Sequence, residues 1–585
     1  MRKTKIVCTI GPASQSEEIF KELVINGLNV ARLNFSHGSH EEHKGRIDTI
    51  KKVREDLNTT VALMLDTKGP EIRTLDFENG QIEVKTGQEI ILTSRQILGN
   101  ETIVSVTYEN FAEDVKKGDI VLIDDGLISI EVIETLNNTD LKCIVNNGGT
   151  IKNKKGVNVP NVKIKLPALT ERDISDIKFG IEQGVDFIAA SFIRKADDVI
   201  SIRRILEENN AAHIMIISKI ENREGVENID EIIEVSDGIM VARGDLGVEV
   251  LEEEVPLVQK KLIKMCNDAG KPVITATQML DSMMRNPRPT RAEVSDVATA
   301  IFEGSDAIML SGETAAGSYP IESVKTMSKI AKMIEDSLDY KEMLETKYVG
   351  TNKSITDSIS LATCKTCLDL NATAIITATS SGYTASAVSK FRPVAPIIAA
   401  TENEYVMRRM SLYWGVYPML IDKMQSTDEI IDTSVAKALE SKYIKNGDLI
   451  IITAGVPVGV SGSTNLLKVH VVSELLYKKV GVGKETVIAK ARVVKNAKEL
   501  AEKFEDGDII VMSSTDRDIV EYMERASAII VEEGGLTSHA IIVGLNIGKE
   551  VIVGAENCTK KIVDGEILTV NGKRGVVYRG KANIL

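Results

Sequence analysis

Eight short apolar runs punctuate the first half of the chain: Lys5–Ile10, Asn29–Leu33, Val61–Leu65, Phe187–Ala190, His213–Ile217, Gly238–Val241, Lys271–Ile274 and Ala307–Leu310. Most are followed by a polar or charged cluster and then a helix-like segment. Runs of this length read as strands buried on both faces. Strands alternating with helices imply parallel pairing, and eight such units predict a (β/α)8 barrel, an α/β fold. One interval breaks the rhythm. About 120 residues separate the third and fourth runs, and there Gln81–Thr93, Ile120–Ile133 and Leu141–Asn146 alternate apolar with polar positions. Turn signals at Asn79-Gly80 and Asp125-Gly126 separate them. This pattern predicts a small all-β domain inserted into a barrel loop, placed to act as a lid.

Past Leu344 the pattern changes. Ala374-Ile375-Ile376-Thr377 runs into Ala378–Thr384, rich in Ser, Thr and Gly, and then into a helix-like Ala385–Phe391. A strand, a hydroxyl-rich loop and a helix start make a phosphate cradle. Ile397–Ala400, Leu449–Thr453 and Val469–Val472 extend this α/β region, and Gly481-Val482-Gly483-Lys484 reads as a linker. The predicted division is a barrel over 1–70 and 168–344, a β lid over 71–167, an α/β domain over 345–475 and a tail domain over 484–585.

The 585 residues are too many for one core and suggest roughly three to four domains. A net charge of −14 argues against general nucleic-acid binding, so anions must be held by locally placed cations, metal and backbone N–H groups. Six cysteines in so long a chain form no disulfide framework. Cys364 and Cys367 form a C-x-x-C pair, yet they follow Ile355, Ile359 and Leu361 at helical spacing and read as packed thiols. The basic start Met1-Arg2-Lys3 precedes an apolar stretch too short for a signal peptide. No run approaches the ~20 apolar residues of a membrane span. A cytoplasmic protein without membrane contact is expected.

The chemistry gathers where the runs end. Ile216–Asn222 and Gly238–Asp245 each finish in charge, placing Lys219, Glu221 and Asp245 at one rim of the sheet. Two carboxylates and an ammonium on a rigid rim hold a divalent cation against phosphate oxygens. Alternation puts Arg32, Asn34 and Ser36 on one face of the second run. The third run is followed by Asp66-Thr67-Lys68-Gly69-Pro70-Glu71-Ile72-Arg73, the seventh by Thr275–Leu280, and the eighth by Ser311-Gly312-Glu313-Thr314. Each could be a turn or a cap. At least six such endings on the C-terminal face of a barrel, where active sites sit, are poorly explained that way. No P-loop is present, since Gly544–Glu550 lacks the spacing and the hydroxyl, and Gly481-Val482-Gly483 lacks the third glycine of a dinucleotide turn.

The strings Ala31–Gly38, Leu65–Thr74, Ser218–Val226, Gly238–Glu249, Lys271–Leu280, Asn286–Ala298 and Ile308–Pro320 closely resemble the pyruvate kinase family, in order over about 290 residues. The resemblance implies a barrel with an inserted β lid and a C-terminal α/β domain, usually as a homotetramer. It also implies phosphoryl transfer from phosphoenolpyruvate to ADP, giving pyruvate and ATP. Under it, Glu221 and Asp245 are ligands of Mg2+ (or Mn2+), and Lys219 faces the transferring phosphoryl group. Gly244, Asp245 and Thr277 match positions that hold the substrate carboxylate, and Arg32 matches a phosphate-binding arginine. Asn34, His37, Arg73 and Lys155 match nucleotide contacts, with Lys155 in the lid. Asn34, Ser36, Asp66 and Thr67 match a K+ site of oxygen ligands. Glu71 is the residue type of potassium-dependent members. Thr277 with Ser311 and Glu313 lies near the proton that completes pyruvate, and Thr277 is read as orienting a relay.

Gly534-Gly535-Leu536-Thr537-Ser538-His539 resembles the phosphohistidine domain of phosphoenolpyruvate-utilising enzymes, which makes His539 a candidate phosphohistidine. The other reading is a structural appendage that supports the tetramer or tunes regulation. Thr379, Ser380, Ser381, Gly382, Tyr383 and Thr384 correspond to the family's effector loop, and members with the extra tail favour AMP or ribose 5-phosphate. A phosphoenolpyruvate-forming dikinase or synthase would need an ATP-grasp domain for which no residues remain. A non-catalytic metabolite sensor would be expected to lose Lys219, Glu221 or Asp245.

Overall fold

In the computed structural model, which describes residues 1–348, 354–423, 427–456, 464–472 and 474–582, all eight apolar runs are strands. They are β1 (Lys5–Thr9), β2 (Val30–Asn34), β3 (Ala62–Asp66), β4 (Phe187–Ala190), β5 (Met215–Ile220), β6 (Gly238–Ala242), β7 (Val273–Ala276) and β8 (Ala307–Leu310). Each pairs in parallel with its neighbours in sequence, and β8 pairs with β1 to close the barrel. β5 runs further than its apolar stretch, through Ser218, Lys219 and Ile220, which register with Ile239, Met240 and Val241 of β6. Lys219 therefore lies within the strand, not beyond it.

Strand alternation then sorts the side chains. Ile6, Leu33, Leu63, Ile188, Ile216 and Ile308 face outward into the layer between strands and helices. Val7, Val30, Met64, Ala189 and Ile217 face inward and fill the barrel with Met240, Ile274 and Met309. Each buried Val, Ile, Leu or Met among them contributes about 1.5–3 kcal/mol. Two residues further along each of five strands, the same inward face carries Thr9, Arg32, Asp66, Ser191 and Lys219. The alternation that builds the apolar plug thus also lays a polar layer across the C-terminal mouth.

The interval after β3 is β-structured, as its alternation predicts. One sheet has seven strands, in the order Ile72–Arg73, Gly156–Asn158, Ile120–Ile123, Ile128–Thr135, Asp140–Asn147, Glu89–Thr93 and Ile103–Ser105. Gln81–Val84 pairs with Gly149–Lys152 in a second, two-stranded sheet. The inward faces form one core that includes Val121, Ile130, Val132, Leu141 and Cys143. Asp124, Asp125 and Gly126 turn the hairpin with φ of 55°, 55° and 85°, a backbone that favours Asp, Asn and Gly.

The chain divides into two compact units, Met1–Leu361 with Thr379–Leu420, and Ala362–Ala378 with Ile421–Leu585. Residues 345–361 and 379–420, expected within the α/β domain, are thus counted in the barrel's unit. Leu412 completes the plug at the barrel floor, and Arg392 and Arg408 form ion pairs with Asp306 and Asp186 there. Ile397–Thr401 and Val416–Leu420 pair in parallel in this segment. In the second unit, Ala374–Ala378 pairs in parallel with Leu449–Ala454, which pairs antiparallel with Leu466–Val471. The tail is an eight-stranded sheet with Thr486–Val493, Ile509–Met512, Ala528–Val531 and Glu550–Val553 at its centre. The expected α/β span also includes 349–353, 424–426, 457–463 and 473, which lie outside the described residues. All six cysteines are buried as free thiols. Among the described residues no helix is long and apolar enough to cross a membrane.

Candidate active site

The polar layer at the mouth is closely bonded. Lys219 Nζ lies 3.1 Å from Asp66 Oδ1 and 2.8 Å from Glu221 Oε1, and it donates to Ser191 Oγ at 2.7 Å. Asp66 Oδ2 accepts from Arg32 Nε at 2.6 Å, and Arg32 also donates to Thr9 Oγ1 at 2.7 Å. Burial alone would lower the Lys219 pKa, but Asp66 and Glu221 outweigh it and hold the ammonium charged. Burial would likewise raise Asp66, and Arg32 with Lys219 overcomes it and keeps the carboxylate ionised. The result is a fixed cation that needs no reorganisation to meet developing negative charge.

Glu221 follows β5 and Asp245 sits in the first turn of the helix Arg243–Glu249, just after β6. Asp245 lies close enough to Glu221 for each carboxylate to perturb the other. Glu221 Oε2 also accepts from the Phe192 backbone N–H at 2.6 Å. Burial, then the neighbouring Asp245, pushes the Glu221 pKa up, and burial pushes Asp245 up as well. A buried carboxylate, Glu221, and a half-buried one, Asp245, lie close together, with the Lys219 ammonium between Glu221 and Asp66. That donor set fits a hard divalent cation bound through two carboxylates, with the remaining positions left to water and substrate oxygens.

Across the mouth, Thr277 and Gln278 leave β7 with φ of 69° and 53°, left-handed values that are uncommon away from glycine. The Gly244 N–H donates to Thr277 Oγ1 at 2.8 Å, and that hydroxyl donates to the Ala276 carbonyl at 2.6 Å. Glu313 is buried and accepts from the Leu280 N–H at 3.0 Å and the Ser311 N–H at 2.8 Å. Both its oxygens hold backbone, so in this arrangement Glu313 supports the loop. Ser311 Oγ is buried without a hydrogen-bond partner among the described residues.

The remaining predicted residues line the neighbouring edge. Asn34 is in register with Asp66, and its Oδ1 accepts from the Ser36 N–H at 3.1 Å. Thr67 Oγ1 accepts from the Ser191 N–H at 3.1 Å. Asn34, Ser36, Asp66 and Thr67 thus bring oxygen atoms to adjacent strand ends, a set suited to a hard monovalent cation. His37 is exposed. A cleft of about 330 Å³ is lined by Glu71, Arg73 and Lys155 on the inserted-sheet side and by Phe192, Asn222 and Asp245 on the barrel side. The two cations predicted to meet nucleotide are paired there: Arg73 with Glu71 at 2.6 Å and Lys155 with Asp124 at 2.8 Å.

Comparison with known proteins resolves what this mouth belongs to. The family described as pyruvate kinase, barrel domain, matches residues 1–324, and pyruvate kinase, alpha/beta domain, matches 357–470. Over the whole of both chains, the sequence is 56% identical to the pyruvate kinase of Geobacillus stearothermophilus and 54% identical to that of Bacillus licheniformis. The chain belongs to the pyruvate kinase family. A crystal structure of a pyruvate kinase from Cryptosporidium parvum matches with a TM-score of 0.77 and 41% identity, covering 80% of this chain and 96% of that one. The tail matches the mobile domain of phosphoenolpyruvate-utilising enzymes over residues 504–575. As a pyruvate kinase the protein is a phosphotransferase, and the family's reaction moves the phosphoryl group of phosphoenolpyruvate to ADP.

Two predicted regions lie outside this pyruvate kinase mouth. In the effector loop, Thr379 Oγ1 accepts from the Gly382 N–H at 2.9 Å and Ser381 Oγ accepts from the Tyr383 N–H at 3.4 Å, while Thr384 is buried. Part of the hydroxyl set therefore shapes the loop itself; Ser380 and Tyr383 stand at its surface. In the tail, His539 opens the helix His539–Ile547, and its Nδ1 lies 2.9 Å from Thr515 Oγ1.

Sequence reasoning missed Thr9, Ser191 and Arg243. Thr9 and Ser191 had a usable signal: each lies two residues beyond an inward apolar position. Arg243 had none, because its partners come from distant segments.

Proposed function

We propose that the barrel mouth performs the pyruvate kinase reaction, with phosphoenolpyruvate bound against Lys219, Arg32 and the Gly244–Asp245 turn, and ADP approaching from the cleft that Arg73 and Lys155 line. The observation that carries this reading is the placement of Lys219 between Asp66, Ser191 and Glu221, with Asp245 alongside. Phosphoryl transfer asks the protein mainly for positioning and charge. Lys219 meets the equatorial oxygens of the moving phosphoryl group, and Arg32 holds the same group from β2. Glu221 and Asp245 would hold Mg2+ (or Mn2+), which supplies Lewis-acid neutralisation of phosphate charge when bound. Arg73 and Lys155 exchange their carboxylate partners for nucleotide phosphate. Asn34, Ser36, Asp66 and Thr67 would hold K+, and Glu71 accompanies potassium dependence. The enolate left by transfer takes a proton, with Thr277 orienting the donor; the unpartnered Ser311 hydroxyl suits a water-borne relay.

A phosphorylated effector, AMP or ribose 5-phosphate, is assigned to 379–384, and a homotetramer is the expected assembly. Six buried free thiols suit the reducing cytoplasm. A second reading concerns the tail. The Thr515 contact to Nδ1 leaves Nε2 of His539 available for phosphorylation, against the alternative of a structural appendage. Labelled phosphoenolpyruvate should leave an acid-labile label if His539 is phosphorylated, and none if the tail is an appendage. The main reading is tested by a coupled assay for pyruvate from phosphoenolpyruvate and ADP with magnesium and potassium. Turnover is expected, and it should fall when potassium is replaced by a large organic cation; absence of turnover overturns the assignment.

A further inference from the structure

We propose that Arg243, anchored by Asp296, is a positioning residue that sets the Thr277 hydroxyl and with it the Gly244 N–H. This deepens the reading above and rests on it. Arg243 spreads its guanidinium across the exit of β7. Nε donates to the Ala276 carbonyl at 3.1 Å and Nη2 to the Thr277 carbonyl at 2.7 Å. Nη1 and Nη2 together grip Asp296 at 2.6 and 2.7 Å, a bidentate pair. Nη1 also donates to Gln259 Oε1 at 3.3 Å, and Nη2 lies 2.8 Å from Met279 Sδ.

The backbone at this exit is costly. Left-handed φ values at Thr277 and Gln278, neither a glycine, cost of order 1–3 kcal/mol each and persist only where surroundings over-determine them. Two groups supply that constraint. Arg243 holds the carbonyls of Ala276 and Thr277, and Glu313 holds the N–H of Leu280. Between the two grips, Thr277 Oγ1 is locked to the Gly244 N–H and the Ala276 carbonyl. Arg243 immediately precedes Gly244, so one residue controls both the turn that presents the N–H and the hydroxyl that caps it. Asp296 is held in turn by the helix Arg291–Glu303, whose start is fixed by a capping box between Thr290 and Glu293. Lysine cannot replace Arg243, because a single ammonium cannot hold two carbonyls and grip a carboxylate with a planar fork.

The test is a cycle on the full chain: wild type, Arg243→Lys, Thr277→Ala and the double variant, each with kcat and KM for phosphoenolpyruvate and for ADP. Arg243→Lys is expected to lower kcat/KM for phosphoenolpyruvate by roughly 10–100-fold, as sub-ångström misplacement does, with KM for ADP unchanged. In the Thr277→Ala background the same change should cost less than about threefold, because residues acting as one unit are not additive. An undiminished loss in that background, or an equal rise in KM for both substrates, overturns the clamp. Should Arg243→Lys fail to fold, Asp296→Asn, which preserves the partner's shape, carries the same cycle and the same criteria. A wild-type chain that does not turn over phosphoenolpyruvate overturns the functional reading beneath the clamp, whereas additivity in an active enzyme overturns the clamp alone.

Discussion

The two ends of the barrel both bury charge, and they do it differently. At the floor, Arg408 pairs with Asp186 at 2.8 Å and Arg392 with Asp306 at 2.6 Å. The other oxygen of each aspartate accepts a backbone N–H, from Leu63 at 2.8 Å and from Val273 at 3.0 Å. Arg392 Nη2 also donates to Asn267 Oδ1 and the Gly304 carbonyl, both at 2.8 Å, while its Nε is buried without a hydrogen-bond partner among the described residues. In these two pairs each buried aspartate meets one arginine, with Arg408 also 3.4 Å from the exposed Glu404. The buried Lys5 ammonium at the same end rests on the Val416 carbonyl, with no carboxylate partner among the described residues. At the mouth, three carboxylates (Asp66, Glu221 and Asp245) share two cations, Arg32 and Lys219, and the Ser311 hydroxyl has no partner among the described residues. A buried carboxylate matched to an arginine and a backbone N–H is a clip. At the mouth the carboxylates outnumber the cations by one, and that excess is what a bound cation would offset. The barrel rule that assigns stability to the N-terminal face and chemistry to the C-terminal face has this electrostatic content here.

Breaking the floor should show the larger stability effect. Arg408→Met leaves Asp186 buried and uncompensated and is expected to cost about 3–5 kcal/mol. A clear fall in Tm with kcat retained at low temperature is the expected outcome; an unchanged Tm would contradict the clip. Breaking the mouth should do the reverse. Lys219→Met is expected to lower kcat by ~10²–10³, the range for one preorganised donor, with phosphoenolpyruvate binding largely kept. Retention of wild-type kcat would remove Lys219 from the chemistry. Glu221→Gln should raise the magnesium needed for half-maximal activity by ~10-fold or more, since even outer partners of a metal are worth that much. A superimposable magnesium titration would show that the two carboxylates do not act as ligands. The smallest effect is expected in the cleft. Asp124→Asn releases Lys155 from a partly exposed pair worth ~0.2–1 kcal/mol, so KM for ADP should fall, by no more than about fivefold. A rise in KM instead would mean that Asp124 assists the nucleotide.

Much of the mouth was legible before any coordinates. Alternation along the second run announced Arg32 and Asn34 on one face, because a strand has a strict period of two, while Asp66 stood out only as the start of the polar cluster after the third run. Lys219 was found by the break from apolar to charged, although it belongs to the strand itself. The inserted sheet was legible from its alternation and from Asp125-Gly126, where the backbone turns left-handed. Glu313 was recognised as important, and the structure adds that both its oxygens hold backbone. The pairing of Arg73 with Glu71, and of Lys155 with Asp124, was not visible, because a basic residue in a turn carries no mark of its partner.

By itself, the sequence determined which side chains face the barrel interior and at which end polarity begins, since both follow from periodicity along single strands. Only the tertiary structure decided which charges meet. Arg408 and Asp186 are 222 positions apart, and Arg243 and Asp296 are 53 apart. Such pairs depend on how the closed sheet and its surrounding segments bring distant ends together. That same closure decides that each floor aspartate meets its own arginine while the carboxylates of the mouth outnumber its cations.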